Sequence, residues 1–126
     1  MSRARLILGY VGAAILIASS AMHSLLGWPA AAASLAKAQV PADLVLGLAL
    51  GWHFGGVAML VLGTIVILQL RRGLDGAAMA NRVIGAAYVL FGSAGLVASV
   101  FDPFMLIFIV PGVLLLASSW PQRSPT

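Results

Sequence analysis

Four stretches of the chain carry no Asp, Glu, Lys or Arg: Leu6–Ala36, Leu44–Leu70, Val83–Phe101 and Pro103–Gln122. A helix crosses the ~30 Å hydrocarbon layer with about 20 residues, so each stretch predicts one membrane span. The first is too long for a single crossing, and Trp28-Pro29 divides it, since proline favours a helix boundary. The pattern predicts helices over residues 5–27, 41–70, 77–100 and 103–119. Pro41 with Asp43 suits the opening of the second, and Asp102-Pro103 reads as a cap followed by a first-turn proline. Pro111-Gly112 predicts a kink in the last helix. Alanine-rich Pro29–Val40 predicts an outer connection with a short surface helix. No period-two alternation points to a barrel.

Composition narrows the class. With 62% hydrophobic and 8% charged residues, the chain lies far from the roughly 25% charge of soluble domains. A pI near 10.8 would suit nucleic acid, but seven scattered basic residues make no phosphate-tracking surface. The absence of cysteine excludes disulfide frameworks, thiolate metal sites and thiol nucleophiles. Ser2-Arg3-Ala4-Arg5 and Ser19-Ser20-Ala21 also fit a secretory leader, but the segment is read as the first membrane helix.

The basic residues orient the spans. Arg3, Arg5, Arg71, Arg72, Arg82 and Arg123 fall on one side of four crossings, and Lys37 alone on the other. The positive-inside rule then places both termini in the cytoplasm. The expected fold is an all-α integral membrane protein of the bacterial inner membrane. It is an antiparallel four-transmembrane-helix bundle forming one domain over residues 1–126. Trp28 and Trp52 fall at the outer interface and Trp120 at the inner one.

Small residues mark the expected packing faces, because lipid gives helices no hydrophobic drive to associate. Helix one has Gly9, Ala13, Leu16, Ser20, His23 and Gly27 on one stripe. Helix two carries Gly47, Gly51 and Gly55, a double GxxxG. Helix three carries Asn81, Gly85, Tyr88, Gly92, Gly95 and Ser99 in alternating steps of four and three. Asn81 reads as a helix-start residue in contact with water, Gln69 as a snorkelling side chain, and Tyr88 as a buried hydroxyl seeking a partner.

One polar constellation stands out. His23 lies eighteen residues from Arg5, His53 eighteen from Arg71, and Ser99 seventeen from Arg82. At 1.5 Å per residue all three sit about 26–27 Å from the arginine boundary. Ser20 lies one turn before His23, and Asp102 follows Ser99. Paired imidazoles with a carboxylate suit a transition metal, and small residues such as Ala49 and Gly56 beside His53 would admit a haem. Quinone hydrogen bonding and proton relay use the same groups. The plain alternative is that each histidine bonds a neighbouring carbonyl or serine and Asp102 caps its helix.

Three functions are compatible with these features. The first is a non-enzymatic accessory or structural subunit, in a homo-oligomer or a larger membrane complex. The second is a haem- or metal-binding redox module built on His23, His53 and Asp102. The third is a small transporter. Small multidrug-resistance exporters share the four-span length, but they carry an essential acidic residue in the first helix, where this chain has only His23. No nucleophile with a base in a motif is present, which disfavours an enzyme.

Overall fold

The computed structural model describes residues 2–73 and 76–120, and its described elements are all helical. Helix α1 (Arg3–Met22) passes through a π-helical turn (His23–Gly27) directly into α2 (Trp28–Lys37). Helices α3 (Ala42–Arg72) and α4 (Gly76–Ala98) follow, then a 3-10 turn (Pro103–Met105) and α5 (Leu106–Ser118). Three helical stretches, Arg3–Lys37, Ala42–Arg72 and Ala77–Ala98, are long and apolar enough to cross a membrane, while Pro103–Ser118 is shorter. Large apolar side chains also face outward, with Leu25 72% and Phe54 75% exposed, as suits a lipid solvent.

The break expected at Trp28-Pro29 does not occur. Pro29 lacks an N–H, and the chain widens into the π turn just before it, where Trp28 N–H reaches back to His23 O. Such local adjustments let proline persist inside apolar helices. The helix instead ends at Lys37, where Gln39 takes a left-handed φ of 52° and Gln39 and Val40 donate to Ala36 O and Leu35 O. That pairing satisfies the last carbonyls of α2 before Pro41 opens α3.

The helices associate as two pairs. Helix α1 packs along α3, and α4 along α5. In the first pair the contact stripe of α3 is Gly56, Met59, Gly63, Val66 and Leu70, repeating in steps of three and four. A Cβ on Gly63 would lie 2.8 Å from Ile17 and 3.0 Å from the Ala13 carbonyl. In the second pair the backbones touch: a Cβ on Gly85 would meet Gly112 O at 2.8 Å, and one on Gly112 would meet Gly85 O at 2.9 Å. Gly92 lies against Phe108 and Ile109, and Gly95 against Met105.

The pairs meet near the end that carries Arg5 and Arg82. There Ala13, Leu16, Val66, Leu70, Ala77, Ile84 and Leu115 form the buried core. Gly12 lets α1 settle onto Leu115 and the Pro111 carbonyl. Arg5 Nε donates to Ser118 O at 2.9 Å and Arg82 to Ser119 O at 3.1 Å. Two cations thus cap the last carbonyls of α5, at the negative end of its dipole. Asn81 is only 1% exposed and donates to Ser118 Oγ at 2.9 Å, so it is a buried cross-helix donor rather than a water-facing start residue. Gln69 likewise does not snorkel: its Oε1 is buried without a protein partner, as is Asn81 Oδ1.

Helices α3 and α4, adjacent in sequence, touch only sparsely. Gly47 and Gly51 accordingly pack against nothing within 4 Å, and Gly55 meets only His23 Nε2 at 3.4 Å. The double GxxxG is therefore not an intramolecular helix contact. The face of α3 used against α1 is the one carrying Gly56 and Gly63, rotated about 100° from Gly55.

The connection after α4 stores strain. Val100 and Phe101 both take left-handed φ values, 56° and 67°, while their N–H groups satisfy Val97 O and Leu96 O. This conformation costs a side-chain-bearing residue roughly 1–2 kcal/mol, and Val100 is β-branched. Val100→Gly is expected to stabilise the protein by about 1 kcal/mol. Gly85→Leu is expected to destabilise it by about 3 kcal/mol or prevent folding, because Gly112 backbone blocks the side chain. Thermal unfolding in detergent micelles, followed by circular dichroism, checks both.

Candidate functional site

The π turn carries His23 to α3, where it meets Trp52. The two residues hold each other reciprocally. Trp52 Nε1 donates to His23 O at 2.7 Å, and His23 Nε2 lies 3.0 Å from Trp52 O. A carbonyl only accepts, so Nε2 carries the proton and Nδ1 is left with its lone pair. The rings stack with centroids 4.5 Å apart and planes 3° from parallel. Gly27 permits this approach, since a Cβ there would lie 3.0 Å from the Trp52 ring.

His53 sits at the same level on a different face. Its ring packs at 5.8 Å from Trp28 and is exposed. Trp28 also lies 6.0 Å from Trp52, so the four aromatic and imidazole rings form one band joining the α1–α2 junction to α3. Equal depth thus brings the two histidines into one layer, but each meets a tryptophan rather than the other.

Ser20 is committed across to α3, while Ser99 and Asp102 have local partners. Ser20 Oγ donates to Gly56 O at 2.7 Å, tying α1 to α3. Asp102 accepts from Phe104 N–H at 2.9 Å, which caps the 3-10 turn. Its own N–H donates to Ser99 Oγ at 3.2 Å, and Ser99 Oγ donates to Leu96 O. Among the described residues no group of three His, Asp or Glu side chains assembles that could hold a metal ion. The centre expected from His23, His53 and Asp102 is therefore not formed. One imidazole is locked to Trp52, the other lies on Trp28, and the carboxylate serves its own turn. Haem ligation by this pair has no support in the geometry for the same reason.

What the site does offer is space. Near the histidines the two helix pairs are not in close contact, and two cavities lie between them. One, of about 550 Å³, runs between α3 and α4, with Gly47, Gly51, Gly55, Tyr88 and Phe91 on its walls. The other, of about 450 Å³, lies between the α1–π-turn segment and the beginning of α5, with Ser19, Met22, Phe104 and Met105 on its walls. His23, Trp52, Met59, Phe91 and Phe108 border both. Each has the size and apolar lining of a ligand cleft. His53 and Asp102 line neither.

Sequence reasoning places Trp52 at the outer interface and Ser19 near the histidines but assigns neither to the site. Trp52 is adjacent to His53 and shares its depth, and Ser19 lies one turn before His23, so both signals were in reach. The chain matches no known family model, no characterised protein and no solved structure.

The lock makes a specific energetic prediction. Trp52→Phe and His23→Phe should each cost about 1–2 kcal/mol, from one lost hydrogen bond and a weakened stack. Both bonds end on backbone carbonyls that neither substitution removes. The coupling energy of the double variant should therefore be only the stacking part, about 0.5–1.5 kcal/mol. Denaturant unfolding of the four proteins measures it.

Proposed function

We propose that this chain is a non-enzymatic accessory subunit of a membrane assembly, in the plasma membrane of a bacterium, contributing an open helix face to another subunit. The observation that carries the reading is the unpartnered face of α3 at Gly47 and Gly51, which ends where Gly55 meets His23, beside the gap toward α4. Three sides of the bundle are closed by small-residue contacts, and on this one side the same small-residue device has nothing to meet. Gly at four-residue spacing permits close approach of a second helix in lipid. The occupant is a helix of a second copy or of a different membrane subunit.

The accompanying topology has four crossings with both termini cytoplasmic. The distribution of arginines supports it, together with the capping of α5 by Arg5 and Arg82 at one end. Helix α5 and its leading 3-10 turn span about 25 Å, somewhat less than the hydrocarbon thickness, which local thinning of the bilayer accommodates.

With no native cysteine, single cysteines test both statements cleanly. Ser2→Cys should be labelled only from the cytoplasmic side and Ser34→Cys only from outside; labelling of both from one side overturns the topology. Gly51→Cys should cross-link in membranes, to itself or to a larger partner. Gly51→Leu should leave the monomer's stability within about 0.5 kcal/mol while lowering the assembled mass on size exclusion with light scattering. Unchanged mass together with no cross-link overturns the subunit reading.

A further inference from the structure

We infer that the cavity between the α1–π-turn segment and the start of α5 is a binding site for an amphiphile with a hydroxylated aromatic head and a linear apolar tail, of the phenol or quinol class. This site is on the other side of the His23–Trp52 wall from the open α3 face, and the inference does not depend on the subunit reading.

Two polar groups line an otherwise apolar chamber. Ser19, in the last turn of α1, and His23, which opens the π turn, stand four residues apart, and neighbours at that spacing share a face. His23 is fixed by its stack and by Nε2, so the nitrogen left for an occupant is Nδ1, an acceptor. Ser19 is 8% exposed, and its hydroxyl has no hydrogen-bond partner among the described residues. A donor from an occupant satisfies Nδ1, and the Ser19 hydroxyl bonds the same head. Water alone suits the chamber poorly, because a cavity with so apolar a lining stays largely dry.

The remaining walls select the body of the ligand. Phe91, Phe104 and Phe108 line it with aromatic rings, and Met59 and Met105 add polarisable sulfur, which favours contact with an aromatic ring. The volume of about 450 Å³ accommodates a single ring with part of a tail, and two of its lining residues, Leu26 and Phe104, are also exposed on the outer surface. A ligand dissolved in the bilayer therefore enters sideways, without crossing water.

The test uses the full chain in detergent micelles with two probes, para-decylphenol and its methyl ether para-decylanisole. They match in ring and tail, but only the phenol donates a hydrogen bond. Tryptophan fluorescence titration should show the phenol binding about tenfold more tightly than the ether. Ser19→Ala should weaken both probes several-fold, because phenol and ether oxygens alike accept from its hydroxyl, and the nitrogen-15 resonance of His23 Nδ1 should move on adding phenol but not ether. Ile107→Trp, which fills the chamber without touching either polar group, should weaken both probes alike. Equal binding of the two probes to the native protein, a His23 resonance unmoved by phenol, or undiminished binding of both probes in Ser19→Ala overturns the proposal.

Discussion

Backbone touches backbone at Gly85 and Gly112, and this contact governs how the rest of the molecule can be arranged. Without a hydrophobic drive between helices in lipid, association relies on close van der Waals contact, which only small residues permit. Helices α4 and α5 are joined this way along their length by Gly85, Gly92, Gly95 and Gly112. Helices α1 and α3 are joined by the same means at Gly56 and Gly63. Each pair behaves as a unit, and the shape of the protein follows from where the units meet.

They meet at the arginine end. Leu16, Val66, Ile84 and Leu115 fill the space between them, and the polar accounting is done by Arg5, Arg82, Asn81 and Ser118. Toward the histidine end the side chains between the pairs are glycines, methionines and aromatic rings that do not fill the gap. One end is therefore packed and capped, and the other holds cavities. The proposed subunit contact and the proposed ligand chamber both lie in that second half, where the helix pairs leave apolar walls unfilled between them.

The His23–Trp52 lock stiffens the cavity-bearing end at a place where the helix is irregular. Pro29 removes a backbone donor and the π turn absorbs the loss, leaving His23 O able to accept from both Trp28 N–H and Trp52 Nε1. A helical irregularity thus becomes a fixed attachment to α3. The opposite wall is set by the strained Val100-Phe101 connection and the Asp102 cap, which together turn the chain from α4 into the 3-10 segment bearing Phe104 and Met105. The walls are held by backbone hydrogen bonds while the space between them stays open.

The sequence by itself determined the helical class, the charge-free stretches and the Asp102-Pro103 start of the last helix, because length, hydropathy and capping are local properties. It also determined that His23 and His53 share a layer, since rise per residue converts counting into depth. It did not determine which way each ring points or which glycine stripe finds a partner. Gly51 and Gly63 look alike in sequence, and only the packing of α1 decides that Gly63 is covered and Gly51 is open. Asn81 near an arginine reads as water-facing until α5 places Ser118 beside it. His23 reads as a metal ligand until the π turn, a response to Pro29, brings Trp52 over its face. Depth follows from the chain one residue at a time, whereas contact depends on the rotation of one helix against another, which tertiary packing alone sets.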